Sequence, residues 1–479
     1  MRVIYSEVKM EYLGIKYDVK NMPELDMDFI PLGKWMEAFL RTANYPVKIG
    51  IERQGKITVR ETKIHATDDM FEADYRYLER YIKFLLWSIG GYRIYISGTQ
   101  RIADRLRSEY IYDEKNESKN GKRWFDVQFM EDVFEQTIEI VLVPYDSFPD
   151  EVDSTISIGG HFDGNRIGLD LGGSDLKVAL LKDGDEIYSQ ELVWHPKTMP
   201  DPSYHYEFLT NVLKDAEKRL GHVDAIGISS AGVLIGNNLR LASLFIKVPR
   251  EDKEAWDKVH NVFDNVAKTV GDGNVPVVAA NDGDITALAG ALGHGVKNVL
   301  GLAFGTSIAG GFVDSEGNIL GWFNELAFAP VDLNESAAMD EWSFDIGVAC
   351  KYLSQDGVIK LAEAAGVKFK KEMTPAEKLT FMQNCILEKS EVAIKVFESI
   401  GCYLAHIIPL YRMFYHFDNL MLLGRVLSGE GGEIILKECK RILDEEYPDI
   451  AENVKLILPD EKTRKVGQAY AAASLPAIN

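Results

Sequence analysis

Asp170, Gly172, Gly173 and Ser174 interrupt the apolar stretch IGLDLGGSDLKVALL, residues 167–181, and are residue types that suit an anion better than a core. Glycine lacks a Cβ, so the backbone amides of such a turn can approach a phosphate closely and donate to it. A plain hairpin would use the same residues. That alternative weakens because the pattern recurs. LGLAFGTSIAGGFVDSEGNIL, residues 300–320, lies over the first stretch without a gap, Gly168 on Gly301, Leu169 on Leu302, Gly172 on Gly305, Ser174 on Ser307 and Gly184 on Gly317. Such self-similarity marks an internal repeat, and two such hairpins face to face can hold a polyphosphate. The copies differ at Asp170, where the second has Ala303. A carboxylate beside phosphate-binding amides is repelled unless a cation lies between, so Asp170 points to Mg²⁺, bound directly or through water.

Between the repeats, PVVAANDGDITALAGALGHG, residues 276–295, reads as a short strand ending at Asn281-Asp282-Gly283 and running into an Ala- and Leu-rich helix. At that corner Asp282 can face a cleft and accept the proton of an attacking hydroxyl. Asp282 or Asp284 can instead cap the helix, which Asp does well.

The elements that must position these residues alternate after about residue 160. Strands are predicted at 167–171, 178–181, 187–193, 225–229, 275–279, 299–304, 311–313, 420–423 and 454–458, and helices at 204–220, 284–293, 376–402 and 432–446. This alternation predicts α/β architecture. Earlier in the chain, VKIGIERQGKITVRETKIHA alternates around Gln54-Gly55 as a hairpin does, and FEADYRYLERYIKFLLWSI has the spacing of an amphipathic helix, so residues 1–160 are expected to form an α+β domain. DEKNESKNGKR, residues 113–123, reads as a solvated loop, and residues 144–165, with two prolines, several acids and a Gly-Gly pair, as a connection between domains.

The chain of 479 residues is long enough for two or three domains, and 46% hydrophobic content supports ordinary cores. A net charge of −21 argues against nucleic acid and acidic membrane surfaces as partners. Cys350, Cys385, Cys402 and Cys439 form no CxxC pair, so buried thiols in a reducing cytoplasm are expected rather than zinc or disulfides. No uncharged stretch reads as a membrane span, and the first residues lack the apolar segment of a signal peptide.

From about Arg166 onward the chain resembles the ROK family of sugar kinases, within the actin-like, hexokinase-like ATPase superfamily. The resemblance rests on DLGGSDLKVALL, AIGISSAGVL, NDGDITALAGALG, FGTSIAGGFVDSEGNILG, LMLLGRVLSGEGGEIILKECKRIL and VGQAYAAASL, in that order. It implies a duplicated ribonuclease H-like, two-lobe kinase core behind the α+β N-terminal domain: a first lobe at 161–290, a second at 291–465, and a closing helix at 466–479 packing back on the first. It further implies ATP and Mg²⁺, with Asp170 holding the metal through water, Gly172, Gly173, Ser174, Lys177, Gly305 and Thr306 around the phosphates, and Gly424 letting the nucleotide lie against the backbone. Asp282 would be the base, Asn281 and Glu325 ligands of the sugar.

The sequence departs from the family pattern after the second phosphate motif. The usual E-x-G-H is ELAF here, with Phe328 in place of a sugar-contacting histidine, and the Cys-rich zinc segment is replaced by APVDLNESAAMDEWSFDIG, so no structural zinc is expected. Asp332 or the acids of MDEW are candidate replacement ligands, the latter equally a solvated helix start. His195, His205 and His406 have no partner spacing and are expected to be structural or solvent-facing.

The function expected is ATP-dependent phosphorylation of a sugar or polyol hydroxyl by a cytoplasmic enzyme, a carbohydrate kinase, with homo-oligomerisation open. A catalytically silent ligand-sensing regulator and an actin-like ATPase coupled to a protein partner are the alternatives. The N-terminal domain is expected to cover the cleft, add a substrate wall or form a subunit contact, with packing and assembly favoured over direct chemistry, so that residues from Arg166 onward fold and bind ATP alone but lose acceptor selectivity or the native oligomeric state.

Overall fold

The structure, a computed structural model, describes residues 8–110, 123–152, 158–458 and 467–478. Most of the charged stretch at 113–123 and part of the expected connection lie outside them.

The repeat seen in the sequence is a repeat of topology. In the first lobe β7 (Asn165–Leu171), β8 (Asp175–Lys182) and β9 (Asp185–Val193) form an antiparallel meander, α5 (Pro202–Leu220) crosses over, and β10 (Ala225–Ser230) and β13 (Val277–Asn281) add in parallel beside β7, giving the order β13-β10-β7-β8-β9. In the second lobe β14 (Val299–Phe304) and β15 (Ile308–Val313) pair antiparallel, and β16 (Asn419–Leu423) and β17 (Lys455–Ile457) add in parallel, giving β15-β14-β16-β17. A single bridge, Val313 to Ile319, stands where the third meander strand would run. Two such halves are the duplicated ribonuclease H-like arrangement of an α/β fold.

The gapless alignment of the halves conceals two compensating changes. Leu171 pairs with Leu176 across a turn at 172–175, whereas Phe304 pairs with Ile308 across a turn one residue shorter. At the next turn Lys182 pairs with Asp185, while the Asp314 amide donates to the Asn318 carbonyl at 2.9 Å, one residue longer. Between the turns Lys177 therefore corresponds to Ala309, not Gly310. The facing pair Asp170 and Lys177 matches the facing pair Ala303 and Ala309, so only the first lobe carries charge there.

Each lobe lends its last helix to the other. α8 (Asp282–His294) packs on β14 and β15, and α14 (Gln468–Ala473) packs on β7 and β10. The second contact requires glycine, because a Cβ on Gly168 would lie 1.8 Å from the Ala469 carbonyl oxygen and one on Gly227 1.6 Å from that of Ala472. In the second lobe the small residue moves to the helix, where Gly290 faces Met421.

The N-terminal region has a hairpin, β1 (Val8–Tyr12) and β2 (Ile15–Val19), and a sheet of order β4-β3-β5-β6 from β3 (Tyr45–Arg53), β4 (Lys56–Ile64), β5 (Arg93–Ile96) and β6 (Glu139–Leu142). Gln54-Gly55 turns β3 into β4 with both φ angles positive, 49° and 76°. The expected amphipathic helix is α2 (Phe71–Ser88), but it is buried on nearly every side. Its charges pair instead of facing water. Arg80 contacts Glu79 at 2.6 Å, Lys83 contacts Asp126 at 2.8 Å and Asp345 at 3.2 Å, and Arg123 contacts Glu79 at 2.6 Å and Asp345 at 2.7 Å. Asp345 belongs to the second lobe.

That ionic cluster sits inside one hydrophobic core running from Ile15 to Ile140 and again from Leu300 to Val454. Phe84 stacks on Phe414 at 3.9 Å, and Phe134 on Phe323 at 5.3 Å. The first lobe has its own core around Leu169, Ile228 and Phe263, and a smaller cluster of α8, α14 and Met421 joins the lobes. This packing argues against the expectation that residues from Arg166 onward fold alone, because the second lobe completes its core with N-terminal side chains. The helix expected at 376–402 is two helices, α10 (Pro375–Leu387) and α11 (Glu391–Arg412), since Lys389 has a φ of +59° and Ser390 accepts from the Ala393 amide to cap the second. α11 is long and apolar enough to cross a membrane, yet most of it is buried in the shared core.

Candidate active site

The strand-to-helix corner resolves the question of which residue caps α8. Strand β13 ends at Asn281, whose Oδ1 accepts from the Gly283 amide at 2.8 Å while its Nδ2 donates to the Gly232 carbonyl at 2.7 Å. Asn281 is thus the cap. Asp282, the first helical residue, is half-buried, and its carboxylate accepts from the Gly283 amide at 3.1 Å. Burial pushes its carboxyl above the usual range, opposed by that amide. Asp284 does not cap: it is 3% exposed and accepts from the Phe312 amide at 3.1 Å and Asn324 Nδ2 at 2.8 Å.

Asp284 thereby reaches the segment that carries Glu325. Asn324 is held from three sides, its amide donating to Ser88 O at 3.0 Å, its side chain donating to Asp284 and its Oδ1 accepting from Tyr415 at 2.8 Å. Glu325 follows it, half-buried and without a side-chain hydrogen bond to the short helical turn it opens. Burial and the charge of Asp282 push Glu325 up to about 7, and burial, against two hydrogen bonds, pushes Asp284 to about 7. Three interacting, largely enclosed carboxylates favour retaining a proton among them. Below about pH 7 Glu325 can donate to a ligand oxygen; above it, Glu325 can accept from a hydroxyl.

The residues proposed to compensate for Phe328 lie elsewhere. Phe328 packs on Trp87 at 4.6 Å and Phe125 at 5.2 Å, completing the N-terminal aromatic cluster. Asp332 accepts from the Ile30 and Asn334 amides, each at 2.8 Å, and from Tyr352, so it ties down the N-terminal region. Asp340 is consumed by Ser343 and the Trp342 amide, and Glu341 by Lys351. His205 bonds Pro196 O and His406 bonds Tyr447 and Asn21 O, both buried, while His195 is exposed.

Asp170 lies at the end of β7, 7% exposed, accepting from Ser229 at 2.9 Å with Lys177 Nζ 4.0 Å away. Burial raises its carboxyl, Ser229 and Lys177 oppose this, and Asp282 is near enough to raise it further. Gln468 was not singled out from sequence. With its amide nitrogen toward Asp170 it donates to both carboxylate oxygens, at 3.1 and 2.9 Å, and its Oε1 accepts from Thr286. The opposite orientation would set amide oxygen against carboxylate. Thr286 and Gln468 each precede by one residue the alanine that faces the equivalent strand glycine, Ala287 on Gly301 and Ala469 on Gly168. The two lobes thus join through matching residues, beside Asp170. A polar residue opening an otherwise Ala-rich helix was the available signal.

The hairpin tips are open to ligand. Gly173, Ser174, Thr306 and Ser307 are exposed, and Gly172 and Gly305 half-exposed. The Gly305 carbonyl accepts from the Gln355 amide at 3.0 Å, which fixes the second tip to α9 (Gln355–Ala364). Gly424, with φ of +100°, needs to be glycine for an internal reason, since a Cβ there would lie 2.3 Å from the Phe304 carbonyl oxygen. A divalent cation suits Asp170 as a single carboxylate sharing the metal with phosphate oxygens and water; no cluster of three ligating side chains occurs among the described residues. Asp170→Ala should weaken binding of Mg·ATP more than of metal-free ATP by calorimetry, whereas equal losses would make Asp170 structural.

A cavity of about 470 Å³ has Glu325 on its wall, within the usual range of about 300–1,000 Å³ for ligand sites. Val233 and Leu241, from the hairpin β11 (Val233–Ile235) and β12 (Asn238–Leu241), line it with Ile246 and with Trp256 of α6 (Lys253–His260). Phe129 of α4 (Trp124–Phe134) closes it from the N-terminal region. The N-terminal region thus adds an apolar side chain to the cavity wall besides its packing role.

Residues 166–323 match the model of the ROK family, and the N-terminal region precedes the matched stretch. Among solved structures it is similar to a ROK hexokinase from Thermus thermophilus, at 18% identity over 64% of this chain and 97% of that one, with a TM-score of 0.48. It is similar also to a ROK family glucokinase from Streptomyces griseus in complex with glucose and AMPPNP, at 17% identity over 64% and 98%, TM-score 0.42. A ROK family transcriptional regulator, a homologue of the E. coli MLC protein, is similar at 16% identity over 66% and 79%, TM-score 0.48. No curated protein matches the chain.

Proposed function

We propose that the protein is an ATP-dependent kinase that phosphorylates a hydroxyl of a sugar or polyol. The observation that carries this reading is that Asp282, at the corner where β13 runs into α8, acts electrostatically both on Glu325, which lines the cavity, and on Asp170, beside the first hairpin. A regulator that only senses a ligand has no need of a carboxylate acting on both.

In this reading Glu325 orients the acceptor, and Asn281 holds the Gly232 turn at the cavity wall while its remaining amide proton stays available to the acceptor. Asp282 takes the hydroxyl proton as the oxygen forms its bond to the γ-phosphorus and the bond to the ADP oxygen breaks. The hairpin tips carrying Gly172, Gly173, Ser174, Gly305 and Thr306, with Lys177, surround the phosphates, the Gly172 and Gly305 amides closing their own turns onto the Asp175 and Ser307 carbonyls, each at 2.9 Å. Gln468 and Ser229 hold the Asp170 carboxylate in place. Mg²⁺, when bound at Asp170, would supply charge neutralisation on the phosphates.

The test is a panel of sugars and polyols incubated with ATP and Mg²⁺ and scored for ADP. Acceptor-dependent ADP release is expected for at least one class. Release that no acceptor changes would favour a partner-coupled ATPase, and acceptor binding without release a silent sensor.

A further inference from the structure

Glu325 shares its cavity with one cation, Arg250, whose situation differs from that of the other arginines nearby. Arg240 pairs with Glu135 at 2.8 Å. Arg250 is exposed, forms no ion pair among the described residues, and lies over the ring of Trp256 at 4.4 Å. Trp256 is 6% exposed, so the guanidinium rests on a fixed platform. Asp132 feels the charge of Arg250 without contacting it as an ion pair. In a chain with 74 acidic and 53 basic residues, an arginine left unpaired at a cavity wall is placed against the prevailing charge.

The rest of the lining sharpens the point. Phe129, Val233, Leu241, Ile246 and Trp256 are apolar, and Phe129 is set by its contacts with Trp87 at 4.9 Å and Phe323 at 6.2 Å. Apart from Glu325, Ser243 and the Gly232 backbone, this wall offers few uncharged partners for the hydroxyls of a bare polyol, which would lose water there. Resting on the kinase reading above, we propose that the acceptor carries an anionic oxygen group, carboxylate or phosphate, which Arg250 receives while Glu325 and Asp282 address the hydroxyl. The charges fix the orientation, since Glu325 repels the anion and Arg250 attracts it. A guanidinium can engage either oxyanion through two parallel hydrogen bonds.

The experiment measures calorimetric affinity, in the presence of ATP analogue and Mg²⁺, for aldonates, uronates and sugar phosphates beside their neutral parents, with turnover read in parallel. Anionic acceptors should bind about tenfold or more tightly than their parents, as expected for one charged hydrogen-bonded contact, and Arg250→Gln should erase most of that preference. The carboxylate and phosphate arms tell which oxyanion is preferred. Equal affinity for charged and neutral members, or a preference untouched by Arg250→Gln, overturns the subsite. Turnover of neutral sugars alone would overturn it while leaving the kinase intact. Arg250-dependent anion binding without turnover of any acceptor would keep the subsite and contradict the kinase.

Discussion

Asp282→Asn is expected to lower phosphoryl transfer by about 10²–10⁴-fold, the usual contribution of a general base, with little change in nucleotide affinity. Asparagine keeps an oxygen to accept from the Gly283 amide, so the start of α8 should survive the change. What disappears is the proton acceptor. The pH profile adds a second readout. A base works only when unprotonated, so wild-type turnover should rise with pH through the titration of Asp282, whose carboxyl burial has raised. Asp282→Asn should remove that limb from any residual activity. It should also let Glu325 titrate lower than about 7, because the charge of Asp282 is one of the two causes holding it there. Residual turnover within about threefold of wild type would place the base elsewhere.

A chain beginning at Arg166 is expected to lose cooperative folding. It would expose the second-lobe side of the shared core, including Phe323 and Phe414, and strip Asp345 of Arg80, Lys83 and Arg123. A domain has only about 5–15 kcal/mol of stability in all, so losing this much apolar burial is enough to unfold it. The same cluster predicts acid sensitivity in the intact protein. Burial alone would raise Glu79, but Arg123 and Arg80 outweigh it and hold the carboxyl at about 2, below its ordinary 4.5. Its contribution is therefore complete above that ordinary value and is lost as pH falls toward about 2. Size-exclusion chromatography and a thermal melt decide the first point. A soluble monomeric fragment that melts cooperatively near the temperature of the full chain would show the region to be dispensable for folding.

The lobes were legible because their strands are short, apolar and buried, and because duplication set the two hairpins against each other. Every strand predicted after residue 160 exists within about three residues of its expected ends. The register between the halves was not legible, since two opposite one-residue changes leave the overall offset intact. Asp284 read as a possible cap because spacing cannot tell an exposed first turn from one lying against a neighbouring strand; the Gly310-Gly311 pair on β15 was the hint of close approach. The shared core was hidden for a similar reason. An amphipathic pattern says that a face is buried, not against what, and α2 violated even that pattern by burying paired charges. Phe328, read as a change in the sugar pocket, is first of all a packing partner of Trp87.

Following the γ-phosphate of ATP by ³¹P NMR, with the intact protein, Mg²⁺ and the acceptor panel, tests the central claim most directly. The account predicts a phosphate-ester resonance that grows one-for-one with ADP, depends on the acceptor and vanishes with Asp282→Asn. Inorganic phosphate growing in step with ADP whatever acceptor is present, or ATP left intact with every acceptor, would contradict it.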